Sequence, residues 1–243
     1  MTAATHPVPA LSQVILQPTG NNVFEATVGQ LATAIRLGVF ADGEQLPPER
    51  ELAEQLSVSR MTLRDAISAL REAGLVETRR GRGGGTVVTY DGPAAPTAPD
   101  TEAASPQRLN DVLSFRRVVE SGAAELAADQ ALDGSQRAWL VECVDHAAAT
   151  VGSPAYRVAD ARLHLAVASL CGSSMLISAV RQAQAALGEM LALIPVLPRN
   201  IEHSQTQHDA VVRCILAGDA AGAREAMIEH CDATAELLQG LLG

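Results

Sequence analysis

Asp160 and His164 stand four residues apart in a segment whose apolar positions, Tyr156, Leu163, Val167 and Leu170, recur at helical spacing. On a helix, that separation turns both side chains the same way, here along the apolar stripe. His208 keeps company with Val211, Val212 and Ile215, and His230 lies on a stripe with Ala223, Ala226, Met227, Thr234 and Leu237. Four ionisable groups on three helices thus face one core. An unpaired buried carboxylate costs several kcal/mol, so Asp160 needs a partner. Three imidazoles and a carboxylate converging on a divalent metal would satisfy it and leave an open coordination position for a ligand or water. Taken singly, each histidine reads as a hydrogen-bonded core residue; taken with the aspartate, the set reads as a metal site. His146 and His203 fit these stripes less well, and His6 lies in a polar N-terminal stretch, so all three are set aside.

A second set of residues suits a different chemistry. Residues 46 to 88 read as two helices joined by a tight turn and followed by a hairpin. Pro47, Pro48 and Glu49 open the first helix, since proline is tolerated in a first turn and glutamate complements the N-terminal dipole. Leu52, Ala53 and Leu56 give it one apolar face. Ser57-Val58-Ser59 interrupts it, and Ser59 is a good N-cap for the next helix. That helix turns Leu63, Ile67 and Leu70 inward and ends at Gly74. Arg60, Thr62 and Arg64 are left outward at its start, the end of a recognition helix that enters a major groove. Arginine grips guanine O6 and N7 through two hydrogen bonds, and hydroxyls such as those of Ser59 and Thr62 suit phosphates or bases. Arg50, on the preceding helix, is placed for backbone contact. Leu75 to Thr78 and Thr86 to Val88 read as the hairpin strands, with Arg79, Arg80, Gly81 and Arg82 at the tip, suited to phosphate or a minor groove. A merely solvated basic face would explain a lone arginine pair. It does not explain one that coincides with a turn, a capped helix and a basic glycine-rich wing.

The elements that position these residues fall into two domains. Residues 1–21 are polar and read as a flexible tail; residues 22–90 make a winged helix-turn-helix whose first helix carries Val28, Leu31 and Ile35. The Pro-, Ala- and acid-rich stretch 91–106 reads as an extended linker. From 107 to 243 the pattern is a bundle of about six helices, near 108–130, 135–151, 154–171, 173–194, 199–217 and 219–241, broken by glycine and proline clusters. The fold class is therefore mainly α.

Composition bounds the function. A chain of 243 residues accommodates two modest cores. Its net charge of −10 argues superficially against nucleic acid, but the distribution answers the objection. Six arginines face three acidic residues between Ser57 and Tyr90, whereas ten face nineteen from Asp91 onward. All the positive charge is arginine, with no lysine. Cys143, Cys171, Cys214 and Cys231 show no paired spacing and sit in apolar helical patterns, which suits buried thiols in a reducing cytoplasm. No apolar run approaches a membrane span, and the start lacks the pattern of a secretion signal.

The stretch Leu46-Pro47, Glu49-Arg50, Leu52-Ala53, Val58-Ser59-Arg60, Arg64 to Ala66, Gly74-Leu75 and Gly81 to Gly83 resembles the winged helix-turn-helix of the GntR family of bacterial transcription regulators. The resemblance implies DNA contact by Arg50, Arg60, Arg64 and the wing at Arg80 and Gly81, with Met61 standing where many members have a small or polar residue. Residues 108–241 resemble the FCD ligand-binding domain of the FadR-like subfamily through Arg116 with Glu120 and the following Ala-rich run, Asp160 to His164, His208, Ala217-Gly218-Asp219, and Met227 with His230. That resemblance implies a zinc, nickel or manganese ion, zinc first, on Asp160, His164, His208 and His230. It also implies a small carboxylate effector held by the metal, with Arg116 matching the arginine that pairs with it. Six helices place the chain nearer the shorter, VanR-like members. Leu163 replaces a common aromatic, and Ser173-Ser174 replaces a frequent asparagine, so the pocket wall is this chain's own.

These readings predict no enzyme but a cytoplasmic homodimer that binds an inverted-repeat operator on double-stranded DNA, acts as a repressor and responds to an organic acid. The alternatives are a metal-responsive regulator, a metal-dependent hydrolase using an activated water, and an architectural DNA protein indifferent to small molecules.

Overall fold

The computed structural model describes residues 23–36, 40, 42–79, 85–90, 105–153 and 155–242. These divide into two compact units between Thr97 and Ala98. The N-terminal stretch, the tip of the hairpin at 80–84 and nearly all of the 91–106 stretch lie outside the described residues.

In the first unit, α1 (Val23–Arg36) packs on α3 (Arg60–Glu72), with α2 (Glu49–Gln55) set against α3. Val28 and Leu31 of α1, Leu52 and Leu56 at α2, and Leu63 and Leu70 of α3 are all fully buried. The tight turn between α2 and α3 needs a left-handed residue, which is Ser57 at φ 55°. Ser59 then caps α3, its side chain accepting the Thr62 N–H. Pro48 is the residue before α2, with no side-chain cap, so the proline sits at the boundary and not inside the first turn. Gly74 at φ 75° ends the α3 turn and sends the chain into β1 (Val76–Arg79). β1 pairs antiparallel with β2 (Gly85–Val88), Val76 opposite Val88 and Arg79 opposite Gly85. A bridge from Gln45 to Val87 adds the segment before α2 to the hairpin, a contact that sequence periodicity does not reveal.

The second unit holds six helices among the described residues: α4 (Pro106–Ala128), α5 (Gly134–Ala149), α6 (Tyr156–Ser169), α7 (Ser174–Leu191), α8 (Pro198–Ala217) and α9 (Ala220–Leu242). Local chemistry sets each start. Ser105 caps α4 ahead of Pro106, so this helix begins two residues earlier than periodicity suggests. Asp133 and Gln136 form a reciprocal capping box on α5, and Ser173 caps α7. Gly218, at φ 73°, ends α8 in the left-handed conformation that favours glycine. α4 lies along α9 and also contacts α6, α7 and α8, which makes it the central element. Its Ala123, Ala124 and Ala127 are buried at the crossing, where small side chains let neighbouring helices approach closely. All four cysteines are free thiols; Cys143, Cys171 and Cys231 are buried, whereas Cys214 is only half-buried, against the expectation for it. No helix among the described residues is long and apolar enough to cross a membrane.

Candidate functional site

α6 carries Asp160 and His164 on successive turns, α8 carries His208 and α9 carries His230. The three imidazoles are buried, with ring centroids 5.2 Å (His164–His208), 5.0 Å (His164–His230) and 4.5 Å (His208–His230) apart. One nitrogen from each lies within 4.8 Å of the other two. Asp160 stands at the edge of the cluster, its side chain 14% exposed and its Oδ1 3.5 Å from His208 Nε2.

The electrostatics keep His208 and His230 neutral. Burial pushes His208 down to about 4, overriding the pull of Asp160 in the opposite direction. His230 is driven well below the usual histidine range, first by burial and then by His208 and Arg116. A neutral imidazole offers a lone pair, the form that metal coordination requires. The linkage has a definite sign. Between pH 6.5 and about 4 the unfolded chain binds a proton at His208 that the folded chain refuses. Stability from this group is therefore fully present above 6.5 and falls as pH drops through that window. Thermal denaturation of chelator-stripped protein across this range should show the melting temperature falling with pH, and a flat profile would contradict the burial argument.

Whether a metal suits this donor set is tested by its unmet hydrogen bonds. His230 Nδ1 meets Gln207 Oε1 at 3.2 Å, which leaves His230 Nε2 buried and without a hydrogen-bond partner. His164 Nε2 and both nitrogens of His208 are likewise buried without one. Each such orphan costs roughly 1–3 kcal/mol, so four on three touching rings make an expensive core unless something accepts their lone pairs. The residues fit a divalent ion.

Beside the histidines runs a charged network in which Glu120 is central. Glu120 Oε2 lies 3.2 Å from Arg116 Nε, 2.8 Å from His164 Nδ1 and 3.8 Å from Cys231 Sγ, while Oε1 accepts from Gln184 Nε2 at 2.6 Å. The contact with His164 is electrostatic, since it lacks the alignment of a hydrogen bond. Burial alone would raise the Glu120 carboxyl; the Arg116 guanidinium first, and then the adjacent His164 and the Gln184 hydrogen bond, reverse that and hold it at about 2. The same desolvation pushes the Cys231 thiol up to about 12, so it stays protonated.

A cavity of ≈ 290 Å³ opens next to this cluster, with Arg116, Tyr156, Asp160, Ser204 and His230 in its wall. Arg116 is 1% exposed, and its Nη1 has no hydrogen-bond partner. The Tyr156 hydroxyl stands within reach of Asp160 and Ser204. Sequence reasoning placed Arg116 here only through family resemblance and assigned no role to Glu120, Gln184 or Gln207. The missed signal was the one used for the histidines. Arg116 and Glu120 sit at i and i+4 on the helix that buries Leu109, Leu113 and Ala123, and a charged pair inside an apolar stripe is as telling as a histidine.

In the first unit, Ser59, Arg60 and Arg64 are exposed and Thr62 is half-buried at the start of α3, while Arg50 is exposed on α2. Ser59 Oγ accepts the Thr62 N–H at 3.0 Å and shares a 2.8 Å hydrogen bond with Thr62 Oγ1, so both hydroxyls serve the helix cap. Met61 is 66% exposed between the two arginines. Arg64 Nε donates to Glu49 Oε2 at 2.7 Å, a contact across the turn that was not foreseen. Arg79 closes β1 and donates to Glu77. Arg80, Gly81 and Arg82 lie outside the described residues.

An exposed basic helix start above a hairpin, with a separate helical unit enclosing a ligand-sized cavity, defines a DNA-binding regulator. The family description "Bacterial regulatory proteins, gntR family" matches residues 24–88, and "FCD domain" matches 111–233. The chain belongs to the GntR family of transcription regulators and carries an FCD domain; these families are regulators and not enzymes. It is 30% identical over 232 residues, 92% of this chain and 83% of the other, to a Mycobacterium gastri protein described as an HTH-type transcriptional regulator, RmpR. It is 36% identical over 147 residues, 59% of this chain and 56% of the other, to the Uxu operon transcriptional regulator of Escherichia coli. The solved structure of E. coli McbR/YncC shares the fold at a TM-score of 0.51 and 17% identity, covering 89% of this chain and 96% of that one.

Proposed function

We propose that this regulator is a cytoplasmic repressor whose hold on an inverted-repeat operator is released by a small organic acid bound in the helical unit. The observation that carries the reading is the cluster of three buried imidazoles with unmet nitrogens, one of which, His230, lines the same cavity as Arg116. Asp160, His164, His208 and His230 would hold a divalent ion, zinc first, with nickel and manganese as alternatives. When bound, the ion supplies a Lewis-acidic position for a carboxylate oxygen. Arg116 supplies the second grip, and Glu120 keeps the guanidinium and the His164 ring in place.

Two copies paired through their helical units would place two α3 helices on the two half-sites. Arg60 and Arg64 read base edges, Ser59 and Thr62 hold the helix start, and Arg50 with Arg80, Gly81 and Arg82 of the wing take the phosphates and minor groove. The acid acts by binding one arrangement of the helices better than the other, since a ligand of equal affinity for both shifts nothing. Elemental mass spectrometry on the purified chain, beside a His208→Ala, His230→Ala double variant, tests the reading.

A further inference from the structure

The cavity wall is built from two unlike sets of residues. Its polar members are linked to one another: Tyr156 stands near Asp160 and Ser204, and Ser204 Oγ is 3.5 Å from His230 Nδ1. Most of its apolar members come from the end of α7, the irregular segment that follows, and α9, among them Leu187, Leu191, Ile194, Leu197 and Leu237. Most of the other polar side chains in the wall are already committed. Thr234 Oγ1 donates to the His230 carbonyl at 3.1 Å, and Arg157 Nη2 donates to the Ile194 carbonyl at 3.1 Å. Among the polar residues of the wall, Arg116 keeps an Nη1 without a hydrogen-bond partner, and its guanidinium and the Tyr156 hydroxyl are groups able to donate. They suffice for one carboxylate.

We infer that the effector is an apolar monocarboxylate, an alkyl or aryl acid, with its head at Arg116 and Tyr156 and its hydrocarbon body against Leu187, Ile194, Leu197 and Leu237. This rests on the carboxylate reading above and narrows it. A cavity of ≈ 290 Å³, at about 30 Å³ for each small group, takes on the order of ten non-hydrogen atoms. A polyhydroxy acid of that size fits by volume and fails by chemistry. Each of its hydroxyls gives up water and meets a leucine or isoleucine, which leaves it without a hydrogen bond. A hydrocarbon body gains from the same wall.

The test is calorimetric titration of the full chain after loading with zinc, using butanoate, hexanoate, octanoate, 3-phenylpropanoate and gluconate. Affinity should rise by about fourfold per methylene along the alkyl series, with gluconate weaker than hexanoate. The ranking of octanoate against 3-phenylpropanoate separates an alkyl from an aryl body. Leu187→Asn should flatten the chain-length dependence, while Arg116→Met should weaken all the acids alike; the wild-type series stands by itself should Leu187→Asn not fold. Gluconate binding more tightly than hexanoate, or no dependence on chain length, overturns the apolar assignment and leaves the carboxylate reading intact. Absence of binding by every acid overturns both.

Discussion

Glu120→Ala lowers the unfolding free energy of the helical unit by roughly 3–5 kcal/mol, the cost of breaking a buried ion pair from one side. The reason is geometric. Glu120 and Arg116 are each about 1% exposed, and no other carboxylate makes an ion pair with that guanidinium among the described residues. Removing Glu120 strands a positive charge in the core, leaves the Gln184 amide without its 2.6 Å acceptor and removes the anion beside His164. Urea denaturation of the full chain, followed by helical circular dichroism, measures the loss. The double variant Arg116→Met, Glu120→Leu should recover most of the stability, because replacing both partners with apolar residues of similar size is close to neutral. It should also lose response to any acid. A Glu120→Ala penalty below about 1 kcal/mol, the range of solvent-exposed pairs, would mean that water reaches Arg116 and that the network does not hold the site together.

The second large effect belongs to the other unit. Arg60→Ala or Arg64→Ala should weaken specific operator binding by roughly five- to 150-fold while changing non-specific binding far less. Fluorescence anisotropy on operator and scrambled duplexes distinguishes the two. Equal loss on both sequences would make these arginines phosphate contacts and not base readers. The Arg64–Glu49 pair adds a further expectation to the same assay. Both side chains are largely exposed, so the pair is weak and screened, and Arg64 can exchange Glu49 for DNA. Glu49→Gln should then tighten binding to every duplex and steepen the salt dependence by about one released counterion. Weaker specific binding in Glu49→Gln would instead show that the carboxylate aligns Arg64 for base contact.

Much of this architecture was legible in the chain because the punctuation is strong. Gly74, Gly172 and Gly218 all take the left-handed conformation that interrupts a helix, and Ser59, Ser105, Asp133 and Ser173 cap the helices that follow them. The histidine cluster was legible because a histidine inside an apolar stripe breaks a pattern that otherwise holds over whole helices. Less visible were features made by distant residues. Arg64 meets Glu49 across a turn, and Gln184 meets Glu120 from a helix far along the sequence. Arg116 and Glu120 lie on the stripe of Leu109, Leu113 and Ala123, which marks them as inward; what the stripe does not reveal is their partners, which come from the packing of α7 and α9 around α4. The cavity was hidden for another reason. Part of its wall is the irregular segment Ile194 to Leu197, which has no periodicity to read.

One divalent ion, held by Asp160, His164, His208 and His230, would anchor the ligand site. Elemental mass spectrometry on untagged protein tests it most directly, with the His208→Ala, His230→Ala double variant measured alongside. About one divalent ion per chain is expected in the wild type and none in the variant. A wild-type chain that remains metal-free after loading and desalting would contradict it, and would leave the three histidines as a polar core with no part in holding a carboxylate.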